Sequence, residues 1–215
     1  MIIELSGTPG SGKDSIIELL KKNEYSNLET IDEAEHFKEP YDFDHDIALK
    51  MLWSILNTYS TFIQVVNEKQ MSDSRLIIFN RGLFDRIAWA RLIRTENKEY
   101  CAVSEDIEKY LKKVLFLNRM DLVFLMLTSY EKVKERREKY QLRPNKTFRV
   151  VNCDTIDNLN KIYRDLYDEF KSDFPFVLLD DSSQNLSLEQ KLTIVKSNID
   201  NTKIPVLNSG VLSKI

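Results

Sequence analysis

Short apolar runs alternate along the chain with longer stretches in which apolar residues recur every three or four positions. The runs have strand length, and the last three are apolar at nearly every position, as parallel strands are when helices cover both faces. The predicted strands are residues 2–5, 28–32, 76–80, 122–127 and 176–179, of which 28–32 is the most polar. The stretches between them predict helices over residues 13–22, 46–71, 84–95, 104–117, 130–140, 155–172 and 188–200.

This alternation is typical of an α/β fold with an open, doubly wound parallel sheet and right-handed crossovers. We predict a five-stranded sheet in three layers within one domain, residues 1–200, because a chain of 215 residues suits a single core. Residues 201–215 show no clear period and are interpreted as a tail or docking arm.

The turn after the first strand carries the strongest motif. Gly7, Gly12 and Lys13 have the spacing G-x-x-x-x-G-K between a strand and a helix, which is typical of a phosphate-binding loop. Glycines let the main chain curl until its N–H groups face an anion, and the lysine adds a mobile positive charge that can act in catalysis. The residues predicted to hold nucleotide phosphates are Gly7, Pro9, Gly10, Ser11, Gly12, Lys13, Asp14 and Ser15.

Composition narrows the function further. A net charge of -3 argues against sequence-general binding of nucleic acid. Cys101 and Cys153 are too few for a disulfide framework and lack metal spacing, and His36 and His45 lie in no zinc-like cluster. The sequence shows no signal peptide and no run of membrane-spanning length, so we expect a cytoplasmic protein with free thiols and no membrane partner.

Ligands of such sheets bind outside the carboxyl ends of the strands, which makes the residues there candidates for the site. Arg81 follows the third strand, where a cation can hold a phosphoryl acceptor and offset developing charge. Asp85 and Arg86, at the start of the next helix, could bind sugar hydroxyls, a base edge or a second phosphate. The alternative for Arg81 is an ordinary surface or capping arginine.

The end of the second strand supplies carboxylates that face the same cleft. A kinase that phosphorylates a hydroxyl benefits from a base that accepts its proton. Glu33 is the first choice by position and Glu39 the second. The alternative, a solvated acidic turn, stays open because several acids lie there.

A basic segment, about residues 134–152, starts on the helix after the fourth strand and continues past it. Its arginines Arg136, Arg137 and Arg143 could close over the phosphates as a lid and neutralise charge in a loose transition state. The alternative is a helix face with ion pairs such as Glu135 with Lys139. The arginines beyond the helix favour the lid.

With the phosphate loop, the segments FNRGLFDRIAWA and ERREKYQLRPNKTFR resemble the P-loop nucleoside and nucleotide kinases, among them the thymidylate and deoxynucleoside kinases. The resemblance spans about residues 1–183. It implies the P-loop NTPase fold, ATP with Mg²⁺ as cofactors, a nucleoside or nucleotide substrate and a homodimer. By resemblance Arg81 grips the acceptor, Glu33 or Glu39 is the base, and the lid arginines are Arg136, Arg137 and Arg143, with Arg149 a further candidate.

The resemblance also implies that the long helix at residues 46–71 flanks the acceptor. Trp53, Tyr59 and Phe62 are then available to stack on a base, with Trp53 our choice for substrate binding. Plain core packing is the alternative, and we expect it for at least two of the three.

Two positions depart from the family's pattern. Asp14 stands where the family has Ser or Thr, and Asn80 stands where it has an acid. Our hypothesis is that the carboxylate has moved from the third strand to the phosphate loop, so that Asp14, or Ser15 beside it, ligates Mg²⁺ while Asn80 holds a metal-bound water. If the exchange does not compensate, the protein binds nucleotide without turning it over.

The sequence therefore favours an ATP-dependent phosphotransferase that acts on a nucleoside or nucleoside monophosphate. One rival is a kinase for another small hydroxylated molecule or for a polynucleotide 5′ end, against which the net charge argues. The other rival is a nucleotide-binding sensor or docking protein that has lost turnover.

Overall fold

The computed structural model describes residues 1–22, 25, 27–32, 47–69, 75–117, 120–140 and 152–202. These residues contain a five-stranded sheet in which every neighbouring pair is parallel, with the order β2-β3-β1-β4-β5. The strands are β1 (Ile2–Gly7), β2 (Leu28–Ile31), β3 (Leu76–Asn80), β4 (Leu122–Leu127) and β5 (Phe176–Asp180).

Eight helices accompany the strands in this described part of the chain. They are α1 (Lys13–Lys22), α2 (Ile47–Lys69), α3 (Leu83–Glu96), α4 (Cys101–Leu117), α5 (Tyr130–Tyr140), α6 (Cys153–Phe170), α7 (Asp181–Gln184) and α8 (Leu188–Asn201). None of these helices is both long enough and apolar enough to cross a membrane.

Alternate residues of the strands face two separate apolar cores, as the two-residue period of a strand requires. Ile77 and Phe79 of β3 point into the larger core, which includes apolar side chains of α2, α3, α4 and α6. Ile78 of the same strand points into the other core, which includes side chains of α1 and α8. The sheet is therefore the middle of three layers, and the predicted α/β fold is confirmed.

The predicted elements agree closely with the observed ones. Each predicted strand ends within two residues of its observed bounds, and helices α1 and α5 match the predicted ranges. The sequence did not predict α7 or the 3-10 turn at Lys98–Tyr100, both of which are shorter than a period can reveal. Most of the predicted lid, residues 141–151, and the tail from residue 203 onward lie outside the described residues, and the domain bounds stay a prediction.

Candidate functional site

The turn after β1 has the main-chain conformation that its glycines predict. Gly7 has a φ of 135°, and a Cβ built there would lie 1.9 Å from the carbonyl oxygen of Met126, so only glycine fits against β4. The Ser11 N–H donates to the Thr8 carbonyl at 3.3 Å, which closes the turn above this contact. The sequence from Gly7 to Lys13 thus forms a tight loop that leads directly into α1.

Lys13 folds back over this loop. Its Nζ donates to the carbonyl oxygens of Gly7 at 2.7 Å and Thr8 at 3.0 Å, and to the Ser11 hydroxyl at 3.3 Å. Lys13 is only 4% exposed, so its ammonium charge lies against the loop and is shielded from solvent. The α1 N-terminus adds the partial positive charge of its amides. Together they place positive charge at the loop, as the motif predicts, and anion binding there stays a prediction.

Asp14 and Asn80, the two departures from the family's pattern, are in direct contact. The Asn80 Nδ2 donates to Asp14 Oδ1 at 2.7 Å and to Asp32 Oδ1 at 3.1 Å. The amide therefore holds two carboxylates from different elements beside the phosphate loop. This juxtaposition agrees with the hypothesis that a carboxylate moved from β3 to the loop, although metal binding itself stays a prediction.

Arg81 has a strained backbone. Its φ is 68°, in the left-handed region, while its N–H donates to the Leu5 carbonyl at 2.9 Å. A non-glycine residue in that region costs about 1–3 kcal/mol, and such strain is found mainly at functional sites. The strain is consistent with the predicted role of Arg81 at the end of β3.

Asp85 and Arg86 lie deeper than the sequence suggested. Asp85 is fully buried, and its Oδ1 accepts hydrogen bonds from the Gly7 N–H at 3.3 Å and the Tyr163 hydroxyl at 2.5 Å. Arg86 is 3% exposed. Asp85 therefore holds the main chain at Gly7, the first residue of the phosphate loop. Substrate binding by Asp85 and Arg86 stays a prediction.

Glu4 is a second buried carboxylate under the loop, and the sequence pattern alone did not single it out. It accepts from the N–H groups of Phe84 at 3.2 Å and Asp85 at 2.9 Å, and from the Ser6 hydroxyl, so it caps α3. Burial raises the pKa of Glu4 to about 7, although these hydrogen bonds oppose the shift. An acid within an otherwise apolar run was the signal for it.

Asp181, the first residue of α7, is the centre of a larger charged cluster. Asp181 is 1% exposed. Its carboxylate forms ion pairs with Lys132 at 3.0 Å, with Lys191 at 2.9 Å and with Arg136. Burial alone would raise the pKa of Asp181, but hydrogen bonds from Lys191, Arg136 and Lys132 bring it down to about 2. Burial lowers the pKa of Lys191 below its ordinary value, and Asp181 partly restores it.

Arg136, predicted as a lid arginine, belongs to this cluster. Its Nη1 donates to the Gly10 carbonyl at 2.7 Å and its Nη2 to Asp181. The other predicted arginine of α5, Arg137, is half-buried. Arg143 and Arg149 lie outside the described residues, as do both base candidates, Glu33 and Glu39.

The aromatic candidates of α2 differ in their surroundings. Phe62 is fully buried and packs on Phe79 with ring centroids 5.4 Å apart, which is core packing. Tyr59 packs edge-on against Tyr110 of α4 at 5.1 Å. Trp53 is half-buried, and its predicted role in binding a base stays a prediction.

Sequence reasoning assigned no role to Asp181, Lys132 or Lys191, although Asp181 directly follows the last strand. A signal for Lys191 was present: it lies three residues after Leu188 and four before Val195, on the apolar stripe of α8. A lysine on a buried stripe needs a buried partner, which identifies a candidate charge pair.

The donor set beside the loop suits a hard cation. Asp14, Asp32 and Asn80 offer oxygen ligands of the kind that Mg²⁺ prefers, and Asn80 Oδ1 is buried without a hydrogen-bond partner among the described residues. No group of three or more His, Cys, Asp or Glu residues suited to a metal occurs in the described ranges. Any cation here would therefore need oxygens from the nucleotide or water as well.

Sheet order, phosphate loop and surrounding helices together define the fold of the P-loop nucleoside and nucleotide kinases, and solved structures agree. A deoxyadenosine kinase from M. mycoides with bound dATP is 18% identical, covers 93% of this chain and 100% of its own, and has a TM-score of 0.64. The same enzyme with dCMP and dCDP is 20% identical, with 94% and 100% covered and a TM-score of 0.58.

A thymidylate kinase from Candida albicans is 13% identical, covers 94% of this chain and 92% of its own, and has a TM-score of 0.63. No protein-family model matches the sequence, and no curated protein matches it significantly. The resemblance stated from the motifs is thus confirmed at the level of the fold.

Proposed function

We propose that this protein is an ATP-dependent phosphotransferase whose acceptor is a nucleoside or a nucleoside monophosphate. The observation that carries the proposal is the loop from Gly7 to Lys13, with the Lys13 ammonium held against its carbonyl oxygens at 2.7 and 3.0 Å. A triphosphate is the natural ligand of a site built from main-chain amides, a helix N-terminus and one lysine. The similar structures with bound dATP and dCTP support a nucleotide as ligand.

In this proposal the chain's own residues have separate tasks. Lys13 and the loop amides hold the donor phosphates, and Arg81 positions the acceptor. Glu33, or Glu39, accepts the proton when the acceptor is a hydroxyl, and Arg137 and Arg143 neutralise the transferring group. Catalysis of this kind rests on positioning and electrostatics, because the reaction demands little covalent chemistry from the protein.

Asp14, Asp32 and Asn80 are the residues that would hold Mg²⁺, with Ser15 adjacent on α1. When bound, the metal supplies neutralisation of negative charge on the donor phosphates. The Asn80 amide keeps the two carboxylates at hydrogen-bond distance beforehand, at 2.7 and 3.1 Å.

Transfer of radiolabelled phosphate from ATP to a panel of nucleosides and monophosphates tests the activity. Calorimetry of ATP binding with wild type and Lys13→Ala tests the site that the activity needs. Loss of a charge-assisted hydrogen bond costs about 1.5–3 kcal/mol, so we expect affinity to fall about 10- to 100-fold. Absence of ATP binding by the wild type, or equal binding by the variant, would refute the proposal.

A second candidate function is a nucleotide-binding protein without turnover. Asp14 favours it, because a carboxylate in the first turn of α1 repels the phosphates when no cation offsets its charge, and its partner Asn80 is neutral. A magnesium titration of ATP affinity with wild type and Asp14→Ser distinguishes the two. Tight, metal-independent binding without transfer to any acceptor supports the second candidate.

The nature of the acceptor and the oligomeric state belong to the proposal as well. A base such as Glu33 is useful to a nucleoside acceptor, whereas a monophosphate already carries a nucleophilic oxygen, so the nucleoside is slightly favoured. The homodimer implied by the resemblance is tested by sedimentation with and without ATP.

A further inference from the structure

Asp181 joins three elements that meet at the rim of the phosphate loop. Lys132 and Arg136 reach it from α5, Lys191 reaches it from α8, and Asp181 itself starts α7 directly after β5. Asp181 and Lys191 are each 1% exposed. A buried carboxylate with three cations is therefore the common anchor of α5 and α8, which lie far apart in sequence.

Two of the three cations also hold the phosphate loop by its carbonyl groups. Arg136 Nη1 donates to the Gly10 carbonyl at 2.7 Å, and Lys191 Nζ donates to the Ser11 carbonyl at 3.1 Å. In a trans peptide the C=O of one residue and the N–H of the next point to opposite sides. Lys191 therefore turns the N–H of Gly12 away from α8.

This restraint matters because glycines lie on both sides of Ser11. Gly10 has a φ of 76° and Gly12 a φ of 101°, conformations that glycine exchanges with others at little cost. Without a fixed Ser11 carbonyl, the peptide plane between Ser11 and Gly12 can rotate and take the Gly12 N–H out of the proposed anion site. A loop that has to present several amides together gains from donors that hold its carbonyls on the outside.

We propose that Asp181 is a positioning residue for the phosphate-binding loop. It orients Arg136 and Lys191 so that they hold the Gly10 and Ser11 carbonyls, which fixes the turn closed by the Ser11 N–H and keeps the Gly12 N–H directed at the triphosphate. The inference rests on the proposed function, because it assumes that the loop binds a nucleotide's phosphates.

A positioning role and a purely electrostatic role of Asp181 predict opposite changes in polyanion affinity when Asp181 is neutralised. The cluster carries three cations and one anion, so Asp181→Asn makes the surroundings of the loop more positive. If Asp181 only screens these cations, a polyanion binds the variant more tightly. If it positions them, the variant binds more weakly, because the loop carbonyls lose their donors.

The test is calorimetry of inorganic tripolyphosphate and of ATP binding to the full chain. We expect Asp181→Asn to bind both at least fivefold more weakly than wild type. The matched control is Glu108→Gln, which neutralises another buried carboxylate with three cations, on α4. Its affinity should stay within twofold of wild type, while amide hydrogen exchange at residues 7–13 accelerates only in Asp181→Asn.

A charge-balanced variant covers the case in which Asp181→Asn does not fold. Asp181→Leu combined with Lys191→Met replaces a buried ion pair by apolar residues, which proteins commonly tolerate, and leaves the net charge unchanged. If Asp181 only screens the cations, this double variant should bind tripolyphosphate as tightly as wild type. If Asp181 positions them, the double variant should bind at least threefold more weakly.

Equal or tighter polyphosphate binding by either variant would overturn the role of Asp181 and leave the proposed function standing. Absence of binding by the wild type would overturn both.

Discussion

Two buried carboxylates in this protein each contact three cationic side chains, but those side chains make different further contacts. Asp181 is held by two lysines and an arginine, and Glu108 by Arg91 at 2.8 Å, Arg94 at 3.1 Å and Lys112 at 2.9 Å. At Glu108 the additional hydrogen bonds of the cations go to a second carboxylate, Glu169 of α6. At Asp181 the additional hydrogen bonds of Arg136 and Lys191 go to main-chain carbonyls of the phosphate loop.

The difference is one of charge as well as geometry. Glu169 leaves the Glu108 cluster with a single excess positive charge, whereas the Asp181 cluster retains two. The first cluster ties α3, α4 and α6 together and is close to balanced. The second holds its excess charge against the loop where phosphates are proposed to bind, which suits electrostatic attraction of a polyanion.

Glu4 shows what burial does to a carboxylate that neutral donors hold instead. Its partners are two amides and a hydroxyl, and its pKa rises to about 7, while the pKa of Asp181 falls to about 2. The cations therefore decide the sign of the shift, because desolvation acts in the same direction at both sites.

The largest effect we expect concerns Glu4 and pH. A carboxyl pKa raised from 4.5 to about 7 on folding means that the folded protein binds more protons than the unfolded chain between these values. Stability should then fall by about 3 kcal/mol as pH rises through that window. Urea unfolding of wild type and Glu4→Gln at several pH values measures it, and the variant should show a flatter curve. If the difference in the free energy of unfolding between wild type and Glu4→Gln did not change with pH, the pKa of Glu4 would not be raised on folding.

The next effect is the stability of Glu108→Gln. Removal of the carboxylate leaves three partly buried cations close together, and we expect a loss of about 2–3 kcal/mol in the free energy of unfolding. Nucleotide affinity should be unaffected, because Arg91 and Arg94 lie in the second half of α3, more than about 10 Å along the helix from its start at the sheet edge. If Glu108→Gln lost tripolyphosphate affinity as well as stability, the Glu108 cluster would also act on the phosphate loop.

Features that depend on near neighbours in the chain could be predicted from the sequence. Five strands, their alternation with helices and the phosphate loop are all of this kind, and the prediction for Arg81 rests on its place at a strand end. The Asp181 cluster could not be predicted in the same way, because Lys132 of α5 lies about fifty residues before Asp181 and meets it and Lys191 only in the folded chain.

The second strand shows another limit. Sequence reasoning named Glu33 and Glu39, which lie outside the described residues, and did not single out Asp32, which the structure places against Asn80 at 3.1 Å. Several acids follow this strand in the sequence, and the pattern alone does not say which of them faces the cleft. Only the hydrogen bond from Asn80 identifies Asp32.

A smaller effect concerns Asp181 at low pH. Its carboxylate has a folded pKa of about 2 against an ordinary value of 3.8, so its contribution to stability is present above 3.8 and is lost as pH falls toward 2. The corresponding free energy is about 2 kcal/mol. The carboxyl ¹³C resonance of Asp181, followed by NMR, should titrate near pH 2. A midpoint near 4 would show that the three cations do not stabilise the charged form.

The smallest effect separates charge from positioning within the Asp181 cluster. Lys132 donates to Asp181 and to Asn185, at distances of 2.7 to 3.0 Å, so it supplies charge near the loop without holding a loop carbonyl. Lys132→Met should therefore weaken tripolyphosphate binding only about two- to threefold at low salt, and this loss should vanish near 0.5 M salt, where the screening length is about 4 Å. Lys112→Met, in the Glu108 cluster, is the matched control and should leave the affinity unchanged. A loss that persists at high salt would mean that Lys132 also positions the loop, and the division of roles within the cluster would then be wrong.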